Sequence, residues 1–186
     1  MLKALYPHEY VDSVFDIDYD KLYDMGYRGI IFDIDNTLVH HGDDSNEEID
    51  ELFRAIRGIG FKTLLLSNNS EERIKRFNIN IGSMYIYDAQ KPDTANFLKA
   101  VDMLGLKKNE VALVGDQIFT DIYGANKSGI DSILVKFLRR ENETKIGKRR
   151  TLEKAILKFY KLNRSCQRRM GGISKGGETR YAMEQR

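Results

Sequence analysis

From Arg28 onward, short apolar runs alternate with amphipathic stretches, and that alternation leaves few folds open. The spacing predicts strands at 28–33, 62–66, 83–87, 110–114 and 132–136, with helices at 46–58, 70–77, 93–104 and 119–127. A strand followed by a helix, repeated every 20 to 35 residues or so, is the pattern of βαβ units. Parallel strands joined in this way need helical crossovers that cover both faces of the sheet. Those crossovers are right-handed, and ligands bind beyond the carboxyl ends of the strands, near a change in strand order. The expected fold is an α/β, Rossmann-like three-layer sandwich with a mainly parallel sheet.

The flanks read differently. Residues 1–27 are expected to form an irregular lead-in with one short helix. The stretch "RTLEKAILKFYKL" places Leu152, Ile156, Leu157 and Phe159 or Tyr160 at helical spacing. Past Asn163 the chain turns glycine-rich and polar ("GGISKGGETR"), so residues 1–162 are expected as one domain and 163–186 as a basic tail without fixed structure. Charge is divided along the same lines. Residues 1–138 hold 15 Lys and Arg against 23 Asp and Glu, a net −8; residues 139–186 hold 15 against 5, a net +10. The single cysteine, Cys166, excludes an internal disulfide or a cysteine metal cage and fits a reducing compartment. There is neither a run of roughly 18 apolar residues nor a signal-peptide pattern, so a cytoplasmic location is expected.

The strand ends carry the chemistry. In "IIFDIDNTLV" a buried strand closes on Asp33 and Asp35, which lie on one side of an extended chain while Ile34 lies on the other. Two neighbouring carboxylates repel, and their arrangement needs a compensating reason. The second strand, "FKTLLLSNN", ends at Ser67 and Asn68; "QKPD" supplies Lys91; and "VALVGDQIFTD" supplies Asp116 and Asp121. All of them fall at one edge of a parallel sheet. Individually these residues have ordinary readings. A strand-end Asp caps a helix or makes a turn, Asn69 and Glu72 have capping-box spacing, and Lys91 before a proline sits in a turn. In this order, however, the series supplies the carboxylates, hydroxyl and ammonium that a divalent metal and a phosphate require.

The same series resembles the haloacid dehalogenase superfamily of phosphotransferases. That superfamily has Asp-x-Asp-x-Thr after a buried strand, a Ser or Thr ending the second strand, a Lys, and a Gly-Asp-x-x-x-x-Asp acidic pair. In detail ("LYPHEYVDSVFDID", "LLLSNN", "DAQKP", "VGDQIFTDIYGAN") the chain is similar to the YqeG-like branch over roughly residues 1 to 160. The resemblance implies Asp33 as nucleophile, forming an aspartyl-phosphate, and Asp35 as general acid and base, its pKa raised by the crowding of a second carboxylate. It implies Mg²⁺ held by Asp33, Asp116 and the backbone carbonyl of Asp35, with Asp121 in support. Ser67 and Lys91 would hold the phosphoryl oxygens, Thr37 would buttress the loop, and Asn68 would touch substrate or cap a helix. His40 and His41, in the loop after the first motif, are assigned no role.

Only Val39 to Asp50 separate the first motif from the next helix, which leaves no room for a large cap domain, so an open site is expected. YqeG-like proteins resemble phosphatases of phosphatidylglycerophosphate. An open site and a basic tail fit a lipid phosphate at an anionic membrane, with peripheral association there. The alternatives are a soluble sugar or nucleotide monophosphate, or a nucleic-acid-binding factor built on this scaffold. The complete motif set argues against the last.

Overall fold

Six short strands form one wholly parallel sheet: β1 (Glu9–Val11), β2 (Gly29–Phe32), β3 (Lys62–Leu66), β4 (Met84–Ile86), β5 (Val111–Gly115) and β6 (Asp131–Val135). This is the arrangement in a computed structural model that describes residues 2–140 and 148–175. The strand order is β1-β6-β5-β2-β3-β4. The chain thus builds outward from β2 through β3 to β4, then returns to lay β5 and β6 on the other side of β2. The cleft between β2 and β5 is where strand order changes, the place where such sheets bind ligands.

Alternation along the strands divides the interior. Ile30, Phe32, Leu65, Ala112 and Val114 face a core shared with α1 (Tyr19–Asp24), α2 (Glu47–Ile59) and α3 (Glu71–Phe77). Ile31, Leu64, Leu66, Val111 and Leu113 face the opposite core, against α4 (Thr94–Leu104) and α5 (Tyr123–Ser128). Both faces of β2 are therefore buried, which is why its sequence is continuously apolar. Close approach of α5 to α4 requires Gly124, where an added Cβ would lie 2.4 Å from the Phe97 ring. A sixth helix, α6 (Lys148–Leu162), packs Ile156 and Tyr160 against Ile118, Ile122 and Leu134.

Two expectations for the flanks change. The lead-in holds an edge strand, β1, paired in parallel with β6 from Glu9↔Ile133 to Val11↔Val135. The tail expected to lack structure from residue 163 is instead folded on the body as far as Lys175. Met170 and Ile173 are buried, Ile17 bridges to Ser174, and the buried Glu9 carboxylate accepts the N–H groups of Met170 (3.2 Å) and Gly172 (2.9 Å). Cys166 is likewise a buried free thiol. Residues 176–186, the rest of that tail, lie outside the described residues.

Replacing Ile173 with Ala removes an apolar side chain with no exposure and should cost about 2 kcal/mol in urea-induced unfolding. An unchanged midpoint would mean that this segment does not contribute to the folded body.

Candidate active site

The last ladder bond at the end of β2 runs from the Asp33 N–H to the Val114 carbonyl of β5 (2.9 Å), and the chain then turns. The N–H groups of Thr37, Leu38 and Val39 all point to the Ile34 carbonyl, with Asn36 in the left-handed region at φ 66°. This turn brings Thr37 Oγ1 back to 2.9 Å from Asp33 Oδ2 and 3.2 Å from Asp116 Oδ1, so one hydroxyl proton is shared between two carboxylates. The other oxygen of Asp33 accepts from Lys91 Nζ at 2.6 Å. The same ammonium donates to Asp121 Oδ1 at 2.7 Å and to the Leu66 carbonyl at 3.0 Å, spending its three protons on three acceptors. Lys91 is held from behind by Asn68, whose Oδ1 accepts the Lys91 N–H at 2.7 Å while its Nδ2 donates to the Lys91 carbonyl at 3.4 Å. Asn68 neither caps a helix nor is left open: it clamps this backbone.

Asp121 reaches the cluster through an irregular helix. Residues Ile118–Ile122 form a π-helical turn, with the Ile122 N–H donating to the Gln117 carbonyl five residues back. Such a turn re-aims one side chain, here onto Lys91, and the other oxygen of Asp121 accepts the Gln117 N–H at 3.0 Å. The path is tight: a Cβ at Gly115 would lie 2.6 Å from Asp121 Cβ, so β5 must end in glycine.

Asp33, Asp116 and Asp121 are all buried, and each offers a carboxylate oxygen within 4.8 Å of the others. Burial pushes the Asp33 carboxyl up to about 6 against the pull of Lys91, with Asp121 adding to the rise. Burial likewise pushes Asp116 up to about 8, with Asp33 adding to the rise and Arg150 opposing it. Burial pulls Lys91 down, but Asp121 and Asp33 more than reverse this, and the ammonium stays above the ordinary lysine range. Three carboxylates face two cations, Lys91 and Arg150, in a poorly hydrated place. Such a set of hard oxygen donors with negative charge in excess fits a divalent cation.

Asp35 belongs to a different set of contacts. Its Oδ1 accepts from Gly42 N (2.7 Å) and Arg73 Nη2 (3.1 Å), with His41 Nδ1 at 3.6 Å, and its Oδ2 accepts from Asn69 Nδ2. Its charged partner is thus Arg73, and the carboxylates gathered within 4.8 Å of one another are Asp33, Asp116 and Asp121. Asn69, with its amide given to Asp35, leaves the capping of α3 to Ser70, which accepts the Arg73 N–H. Ser67 is buried at the end of β3, next to the Leu66 carbonyl that holds Lys91, and its hydroxyl accepts the Asn69 N–H at 3.2 Å.

Three contributors were not singled out from the sequence. Arg73 and Asn69 look like ordinary helix-start residues until the fold turns them toward Asp35. Arg150, from the first turn of α6, donates to the Asp116 carbonyl at 2.8 Å, pairs with its carboxylate and stacks over Phe137. It stands in a basic run where neighbouring cations look alike, and no local signal marks it.

Residues 40–129 match the haloacid dehalogenase-like hydrolase family. The chain is 39% identical over 137 residues to the "Probable phosphatase YqeG" of Bacillus subtilis, covering 73% of this chain and 80% of that protein. It is 27% identical over 171 residues to the "Phosphatidylglycerophosphate phosphatase 1, chloroplastic/mitochondrial" of Arabidopsis thaliana. That match covers 83% of this chain and 47% of the plant protein, about half its length. Among solved structures, an uncharacterized protein from Listeria monocytogenes serotype 4b gives a TM-score of 0.53 at 21% identity, over 73% of this chain and 99% of that one. This last likeness is one of fold.

Replacing Lys91 with Met strands two buried carboxylates. It should lower stability by about 3–5 kcal/mol in chemical denaturation, far beyond the loss of one exposed ion pair. A loss below about 1 kcal/mol would show that the ammonium is not what holds the cluster together.

Proposed function

The chain belongs to the haloacid dehalogenase-like hydrolase family and is a phosphatase of that family, and from this premise we propose that it hydrolyses phosphate monoesters by way of an aspartyl-phosphate on Asp33. The observation that carries the reading is the fixing of both Asp33 oxygens, one by Lys91 and one by Thr37, inside an acidic cluster at the sheet's switch point. A carboxylate oriented in this way is a pre-aimed nucleophile.

Asp33 attacks phosphorus in line, the bond from phosphorus to the alcohol oxygen breaks, and Asp35 delivers a proton to the departing oxygen. Asp35 then takes a proton from the water that attacks the acyl phosphate, releasing phosphate and restoring Asp33. Arg73, Asn69 and the Gly42 N–H fix the carboxyl group of Asp35 for both steps. Lys91 and the Ser67 hydroxyl hold phosphoryl oxygens, with Lys91 balancing charge that grows in the transition state. Asp33, Asp116 and Asp121, with the backbone carbonyl of Asp35, would hold Mg²⁺. When bound, the ion would neutralise the phosphoryl charge and favour the ionised carboxylates.

For the substrate, a lipid phosphate of the phosphatidylglycerophosphate type is supported by the plant relative and by the absence, among the described residues, of a large cap over the site. Phosphate release should be compared across that lipid, sugar phosphates and nucleotides, with and without a chelator. Release that favours the lipid, stops on chelation, returns with Mg²⁺ and is lost in Asp33→Asn is expected. Release from soluble esters alone would remove the lipid assignment and keep the chemistry.

Asp35→Asn should reduce kcat/KM, which reports only the formation of the aspartyl-phosphate, about 10²–10⁴-fold on alkyl phosphates and much less on p-nitrophenyl phosphate, whose leaving group needs no proton. Equal losses on both would contradict the role given to Asp35.

A further inference from the structure

The helix that delivers Arg150 to Asp116 has a second face that none of the described residues covers. On α6, Leu152, Ala155, Phe159 and Leu162 recur at intervals of three, four and three residues, which places them in one stripe. All four are exposed, Leu152 by 56%, Phe159 by 62% and Leu162 by 72%, whereas Ile156 and Tyr160 on the other side are buried. Beside the stripe runs a row of exposed lysines, Lys154, Lys158 and Lys161, the last reaching over the Tyr10 ring at 4.9 Å. The helix has a single acidic residue, Glu153. It is buried, accepts the Phe119 N–H and pairs with Arg150, so the outward face carries only positive charge.

We propose that this face of α6 seats the enzyme on an anionic lipid bilayer. A helix with bulky apolar residues along one line and lysines along the adjoining line has the form of an interfacial helix: the apolar side chains enter the headgroup boundary and the lysines meet anionic headgroups. Charge complementarity selects the occupant. A second copy seated on the stripe would bring two lysine rows together, and a nucleic acid would leave Leu152, Phe159 and Leu162 without apolar contact. Arg150, two residues before Leu152, lies on the opposite side of the helix and holds Asp116, so the same helix is fixed to the body by one side while the stripe faces out. The inference extends the lipid-phosphate reading and rests on it only for its purpose. Its test measures binding without turnover, so each can fail alone.

The experiment is co-sedimentation of the full chain with phosphatidylcholine vesicles, with and without phosphatidylglycerol, in the absence of Mg²⁺. Binding is expected to the anionic vesicles and not to the neutral ones. The triple variants Leu152→Ser/Phe159→Ser/Leu162→Ser and Lys154→Gln/Lys158→Gln/Lys161→Gln should each weaken it by about tenfold or more. Both should keep the thermal unfolding midpoint and the hydrolysis of p-nitrophenyl phosphate. Wild-type affinity in either variant, or equal binding to neutral vesicles, would overturn the proposal. So would a wild-type dimer that the serine variant converts to monomer, or RNA binding in place of vesicle binding that the glutamine variant abolishes.

Discussion

One ammonium group organises the carboxyl edge of this sheet. Lys91 bonds to Asp33 from the end of β2, to Asp121 from the π-helical turn after β5, and to the Leu66 carbonyl of β3. Three separate segments are thereby tied at a point buried from solvent. Burying a lysine among carboxylates carries a desolvation cost that only close pairing offsets, so each partner depends on the others being in place. The surrounding structure serves that requirement. Asn68 clamps the Lys91 backbone, Gly115 leaves room for Asp121, and Thr37 turns back to steady Asp33 and Asp116. Even so, three acidic groups are balanced by only two bases, and this imbalance is what makes the cluster receptive to a divalent ion.

Chemical roles are divided by contacts rather than by sequence distance. Asp33 and Asp35 are two residues apart, yet one lies with Lys91 and the acidic cluster while the other lies with Arg73, Asn69 and His41. The nucleophile and acid–base roles proposed for them need different surroundings, and the tight turn after Phe32 supplies them within three residues. The basic C-terminal part is also less separate than its composition implies. Arg150 pairs with Asp116, Arg140 with Asp43, and Arg169 donates to the carbonyls of Tyr6 and Pro7. The acidic body and the basic end are interleaved in the folded chain.

The strands from β2 to β6 were legible in the sequence because each is an apolar run whose end is marked by a polar residue of restricted type. The candidate site residues were legible for a related reason, as a series in fixed order at successive strand ends. β1 was not, since three residues, Glu9–Val11, carry too little pattern to distinguish a strand from a lead-in. Nor was the docking of residues 163–175, where Glu9 accepts backbone N–H groups that any sequence provides. Asn69 reads in the sequence only as a helix cap, and Arg73 and Arg150 as members of charged runs, because their roles depend on which residue the fold places opposite them.

The central claim is that Asp33 becomes phosphorylated during turnover. Acid quenching in the steady state, reduction with borodeuteride and peptide mass spectrometry would test it directly, because an acyl phosphate is reduced to the alcohol while a free carboxylate is untouched. The account predicts deuterium-labelled homoserine at position 33 and at no other aspartate. Turnover without label at that position, with inversion rather than retention of configuration at an isotopically chiral phosphorus, would mean that water attacks the ester directly and that Asp33 is not the nucleophile.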